Sequence, residues 1–327
     1  MVSRILAFRP ASVVERLEPR SEACPLSTRE LLGPAAELGI VLPVVRAPIA
    51  AVARGALVAA KEIQAALGLA LPPGTPPEPW FDAVAKAADE VASGLPLFLV
   101  GELVVEDEGA TQVERAFHEA WRLVGAGLTH LAIDVSAVAP GERARVVGEV
   151  AEAGVENGIC VEVVLPISEG SQVGPRAAAT FEELSHRGMR PDLASVRAPA
   201  PGSEDEARIQ AAALARICRS LGGAPVMRRG PVTPELLQAL RGSPVRACED
   251  GGQAAARAME ILPAAALAAE DGRGGALERA AAALDEAAAE RVEARAYVEA
   301  LDFLERLGAK GSAGALARAL EKSLGER

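Results

Sequence analysis

Residues 127–165, GLTHLAIDVSAVAPGERARVVGEVAEAGVENGICVEVVL, read as one complete strand–helix–strand unit. Leu131 to Val135 is a short apolar run that carries Asp134 and is followed by Ser136. Residues 141–157 have helical spacing, and Ile159 to Leu165 is a second apolar run carrying Glu162. Two buried strands joined by a helix imply a parallel sheet. In such sheets the polar groups that do chemistry collect at the carboxyl ends of the strands.

The same alternation extends in both directions. Ile40 to Val45 predicts a first strand and residues 49–67 an apolar helix. The prolines of LPPGTPPEPW at 71–80 predict a loop over one end of the sheet or a plain connector, with Trp80 and Phe81 tucking it down. Strands then follow at 95–100, 131–135, 159–165, 193–196, 225–227 and 245–248, separated by helices at 82–93, 110–125, 141–157, 175–187, 204–221 and 233–240. A further, weaker strand fits Leu67 to Leu71. Eight such units make a (β/α)₈ TIM barrel. An open doubly wound sheet is the other option, but no Gly-x-Gly-x-x-Gly turn follows any of these strands.

Composition limits the function classes. The chain has 327 residues, enough for one barrel of roughly 250 residues and an appendage. No run of about 18 uncharged apolar residues is present, and the first residues lack a continuous apolar segment, so neither a membrane span nor a secretory signal is expected. Cys24, Cys160, Cys218 and Cys248 show no paired metal spacing and predict reduced, buried thiols in a cytoplasmic protein. A net charge of −11 and few aromatic residues argue against a nucleic-acid surface. The lysines, Lys61, Lys86, Lys310 and Lys322, fall in predicted helices rather than at strand ends, which excludes a buried Schiff-base lysine.

Several motifs occur in a familiar order. STRELLGPAAELGIVLPVV at 27–45 resembles the opening of class II aldolases, metal-dependent enzymes that split fructose or tagatose bisphosphate. GLPLFLVGEL at 94–103, GLTHLAIDVS at 127–136 and VEVVLP at 161–166 stand where that family has its His-x-Asp-His, Ile-Asp-Ala-Ser and Glu-x-Glu strands. EGSQVGPRAAATFEEL at 169–184 and PVTPELLQALRGSPVRACEDGGQAAARAM at 231–259 are similar to the branch that includes the tagatose-bisphosphate aldolase accessory subunit. The resemblance spans residues 27–262 and implies a barrel with a role in carbohydrate metabolism.

Carried over residue by residue, the resemblance also implies a changed site. The family's first metal-binding histidine and adjacent aspartate fall at Leu103 and Glu102. The Glu-x-Glu strand keeps Glu162 but has Val164, and the later histidines fall near Arg197 and Arg228. With those ligands replaced, the expectation is a pseudoenzyme without a cofactor, acting as an accessory or scaffold subunit. The alternative is a carbon–carbon lyase with a rebuilt mouth, in which Glu102, Asp134 and Glu162 bind Mg²⁺ or move protons. For each carboxylate the competing role is a loop cap or an arginine pair. Ser136, Arg197, Arg228, Arg229 and Arg246 are candidates for gripping a small anion, against a plain role as solvated surface groups. His130 precedes its strand at the stability face of a barrel, His118 and His186 are expected to be exposed, and Cys160 and Cys248 are expected in the core.

Residues 1–26 read as an irregular or partly strand-forming lead-in, 27–263 as the barrel and 264–327 as a helical extension. EDGRGG at 270–275 reads as a hinge, followed by helices at 276–308 and 313–324. Such an extension could cover the barrel bottom or carry a protein-partner or homo-oligomer contact.

Overall fold

The computed structural model describes residues 4–166, 173–241, 243–261 and 284–325. A short 3₁₀ turn, Arg4–Phe8, and α1 (Ala11–Arg16) lead to a two-residue strand, β1 (Cys24–Pro25), and α2 (Thr28–Leu38). The barrel then alternates β2 (Leu42–Arg46), α3 (Ala50–Ile63), β3 (Leu67–Leu71), α4 (Pro77–Val91), β4 (Pro96–Val104), α5 (Ala110–Gly125) and β5 (His130–Asp134). It continues through α6 (Arg143–Val150), α7 (Glu152–Glu156), β6 (Cys160–Pro166), α8 (Val173–His186), β7 (Leu193–Arg197) and α9 (Glu204–Ser220). It ends with β8 (Val226–Arg229), α10 (Pro234–Leu240), β9 (Val245–Glu249) and α11 (Gln253–Met259).

Strands β2 to β9 pair in parallel with their sequence neighbours, and β9 closes on β2 with Leu42 opposite Ala247. This is the closed TIM barrel that the alternation implied. Successive residues of each strand divide between two apolar layers. Leu67, Leu97, Leu99, Ile133, Val161, Val163 and Val245 pack outward under the helices. Leu42, Val44, Phe98, Val100, Ala132, Val164, Leu193, Met227 and Ala247 fill the barrel. Phe98 fits only because Gly68 faces it: a Cβ at Gly68 would lie 2.3 Å from the ring.

The details depart from the sequence reading in informative places. The proline-rich connector is irregular only up to Pro76, because Pro77 and Pro79 occupy the first turn of α4, where no intrahelical N–H is needed. Trp80 is buried there and donates its indole N–H to the Ala47 carbonyl at 2.6 Å. The helix expected over 141–157 is interrupted at Ala151, whose ψ of −8° separates α6 from α7. β4 runs to Val104 and β8 to Arg229, each longer than the apolar run alone suggested. Lys310 lies in a turn rather than a helix.

The lead-in is partly helical. Ile5, Cys24 and Leu26 join Leu31 and Leu32 of α2 beneath the barrel, together with Leu316 and Leu320 of the last helix, α13 (Ser312–Gly325). The long C-terminal helix, α12 (Glu286–Leu307), lies against α3, α10 and α11. Its docking needs Gly55 of α3, where a Cβ would stand 2.4 Å from the Glu293 carbonyl and 2.8 Å from the Tyr297 nitrogen. The expected boundary at 263 and the glycine hinge at 270–275 lie outside the described residues. Among the described residues no helix is long and apolar enough to cross a membrane.

Candidate functional site

Period-two alternation carries the charged strand ends inward. From Val44 it aims Arg46 into the barrel, from Val100 Glu102, from Ala132 Asp134, from Leu193 Arg197, from Met227 Arg229 and from Ala247 Glu249. The apolar filling therefore gives way, toward the carboxyl ends, to a layer of ion pairs.

Arg229 is the centre of that layer and is fully buried. It donates Nε to Glu162 Oε1 at 2.6 Å and Nη2 to Glu162 Oε2 at 2.8 Å, a bidentate pair, and Nη1 to Glu249. Arg46 donates Nη2 to Glu249 Oε1 and to Glu102 Oε2, both at 2.9 Å. Arg197 donates Nη2 to the other Glu102 oxygen and, at 3.4 Å, to Asp134. Glu162 also faces His130, whose Nε2 stands 2.7 Å from its Oε2. The other ring nitrogen of His130 shares a 2.9 Å hydrogen bond with Thr28 on α2. The network thus runs from Thr28 beneath the barrel to Arg197, whose side chain is 40% exposed at the mouth.

The pKa values follow from this arrangement. Burial acts to raise Glu162, but the charge and hydrogen bonds of Arg229, with His130 beside it, outweigh burial and hold the carboxyl well below the usual range. At Glu249 burial is likewise overcome, by Arg229 and Arg46. Burial works against the Arg229 charge, yet Glu162 and Glu249 raise its pKa further.

Asp250, next in sequence, behaves differently. Among the described residues it has no guanidinium partner, and it accepts N–H groups from Arg46, Gly252 and Ala254 at 3.2, 2.9 and 3.0 Å. Burial exceeds those hydrogen bonds and pushes its pKa up to about 6. A folded-state value above the unfolded one stabilises the protein fully below the unfolded carboxylate range, and the contribution is lost as pH rises through about 6. The stability of the native chain relative to Asp250→Asn should therefore fall by roughly 3 kcal/mol between about pH 4 and 7. Urea unfolding of both proteins across that range checks this; a difference that is flat or rises with pH contradicts it.

Of the residues singled out by sequence, Glu102, Asp134, Glu162, Arg197 and Arg229 come together. Ser136 sits at their edge, its backbone N–H given to Asp134 at 2.9 Å. Arg228 points away from them and is buried, donating to the carbonyls of Ala198, Pro199 and Gly230 and tying the β7–α9 loop to the β8–α10 loop. Arg246 lies on the outward face of β9 near its start, donating to the carbonyls of Ser243 and Val245. Leu103 packs outward, and Val164 belongs to the apolar filling. His118 and His186 are exposed, and all four cysteines are buried and free. Arg46 and Glu249 were not anticipated, although each is a charge closing an apolar run, in LPVVR and VRACE, two residues beyond an inward-facing position.

No family model matches the sequence, and no curated protein does. Among solved structures, the YdjI aldolase of Escherichia coli K12 superposes with a TM-score of 0.61 at 16% identity, covering 87% of this chain and 98% of that one. The chain shares the TIM-barrel fold of that protein. A protein of Coccidioides immitis described as a fructose-1,6-biphosphate aldolase gives a TM-score of 0.57 at 13% identity, over 87% of this chain and 96% of that one. Similarity at this level is a likeness of fold, and the chemistry has to be argued from the site.

A metal-dependent aldolase needs at least three nitrogen, oxygen or sulfur ligands around one open position. Among the described residues, no three His, Cys, Asp or Glu side chains are placed to share an ion. The inward carboxylates converge on guanidinium groups, and His130 is held between Thr28 and Glu162. The described residues therefore do not make the three-ligand site of a metal-dependent aldolase.

Proposed function

We propose that this chain is an aldolase-like barrel that has lost metal-dependent aldol cleavage and serves as a non-catalytic accessory or scaffold subunit. The observation that carries this reading is Arg229, buried between Glu162 and Glu249 in the charged layer toward the mouth. A guanidinium there competes for the carboxylates that a cation would require. By the resemblance, the family's metal histidines would fall at Leu103 and near Arg197 and Arg228. Leu103 is buried in the outer apolar layer, Arg197 pairs with acids and Arg228 braces two loops.

A second reading is an active carbon–carbon lyase built on the outer acids. Its support is a groove of about 300 Å³ that reaches Glu102 between the β3–α4 loop and α5, with the half-exposed Arg197 bridging Glu102 and Asp134. Under this reading Mg²⁺ or a sugar phosphate would engage Glu102.

Metal analysis of the purified full chain and thermal-shift titration with Mg²⁺, Mn²⁺, Zn²⁺ and sugar phosphates separate the two. The first reading expects no stoichiometric metal and no saturable shift that depends on Glu102. A shift that one ion produces, and that Glu102→Gln abolishes, would transfer support to the second.

A further inference from the structure

The docking of α12 against the barrel rim encloses a groove that the charged network does not use. Its volume is about 200 Å³, below the size typical for drug-like ligands, and it lies between α10, α11 and α12. Its apolar wall includes Leu237 of α10 and Phe303 of α12, both buried. Its polar wall includes Gln253 and Arg257 of α11 and Arg306 of α12.

The hydrogen-bond inventory of this groove is one-sided. Every carboxylate oxygen lining it already receives a donor: Asp250 from three backbone N–H groups, Glu299 from Arg257 at 2.6 Å and Arg295 at 2.7 Å, and Asp302 from Arg306 at 2.7 Å. The Gln253 carbonyl oxygen accepts the Val232 N–H at 3.0 Å. What remains unengaged among the described residues is donors. They are the Gln253 amide NH₂, the Nε and Nη2 of Arg257, which spends only Nη1 on Glu299, and both terminal nitrogens of Arg306, which spends only Nε on Asp302. Arg257 and Arg306 stand on facing helices, so a group placed between them meets donors from both sides. The formal charges of Arg257, Arg306 and Arg295 offset those of Glu299, Asp302 and Asp250, and Glu235 of α10 adds one negative charge within Coulombic reach of Arg306.

We propose that this groove is a binding site for a small organic anion, with a carboxylate or phosphoryl head held by Arg257, Arg306 and Gln253 and a short apolar body against Phe303 and Leu237. Planar guanidinium groups suit either head by paired hydrogen bonds. The inference is independent of the function proposed for the barrel mouth, since it uses none of those residues. Because one wall is α12, occupancy would also tie the C-terminal helix more firmly to the barrel.

Calorimetric titration of the full chain with benzoate, phenyl phosphate, inorganic phosphate and neutral benzyl alcohol tests the site. Saturable binding is expected for at least one aryl anion, about tenfold or more tighter than for benzyl alcohol or inorganic phosphate; the stronger of the two aryl anions identifies the head group. Arg257→Gln and Arg306→Gln should each weaken it about tenfold, while Glu102→Gln leaves it unchanged. Both arginines are about half exposed, so the variants should keep the native circular dichroism, and Arg306→Lys provides a milder second substitution expected to weaken binding less. Absence of saturable binding for both aryl anions would overturn the proposal. So would affinity unchanged in the folded double variant, or inorganic phosphate binding as tightly as the stronger aryl anion.

Discussion

Replacing Arg229 with leucine should destabilise the protein by about 3–5 kcal/mol, because it strands Glu162 in the barrel without a guanidinium and leaves Glu249 with Arg46 alone. The cost comes from the unpaired buried carboxylates rather than from the lost attraction itself, since paired charges also had to leave water. The triple change Arg229→Leu, Glu162→Gln and Glu249→Gln should therefore recover part of the loss. Urea unfolding of the two variants measures both effects. A single-variant loss under about 1 kcal/mol would mean that the ion pairs are not what holds the mouth together. The same pairs make the fold acid-sensitive: with their folded pKa values depressed, Glu162 and Glu249 contribute stability above the unfolded carboxylate range that is lost as pH falls through the folded values.

Gly55→Val should lift α12 from the barrel wall. The first carbon added at position 55 already meets the backbone of Glu293 and Tyr297 at 2.4 and 2.8 Å, and backbone atoms in a helix cannot move aside as a flexible side chain can. The helix must move as a body, exposing Val292, Ala296, Ala300 and Leu304, which are otherwise fully buried. The expected loss is about 3 kcal/mol or more, concentrated in the C-terminal segment. Hydrogen exchange would show faster exchange over 286–307 with the barrel strands still protected. Unchanged protection over that helix would contradict the close packing described for it.

The barrel was legible in sequence because its cause is local. Buried parallel strands read as apolar runs, and helices betray themselves by spacing, so even the weak LGLAL run at 67–71 could be placed as β3 once seven stronger strands demanded an eighth. The charged interior was harder to read, because Arg46, Arg229 and Glu249 close apolar runs and look like the first polar residues of loops. β8 runs through both arginines, beyond the strand expected at 225–227. Which arginine faces inward is a matter of period two: Arg229 shares the face of Met227, and Arg228 takes the opposite one. His130 was assigned to the stability face, and its ring does reach the Thr28 contact beneath the barrel, but it also touches Glu162, a contact set by strand register and invisible in one dimension. The proline-rich connector was misjudged because prolines break a helix only past its first turn.

The central claim, that the mouth no longer supports aldol cleavage, is tested most directly by a retro-aldol assay. The purified full chain would be incubated with fructose and tagatose bisphosphates, with Zn²⁺ or Mg²⁺ supplied, and release of triose phosphate followed by a coupled reaction. The account predicts no release above the protein-free blank with either ion. Metal-dependent release that Glu102→Gln abolishes in the still-folded protein would contradict it and establish the outer acids as a working site.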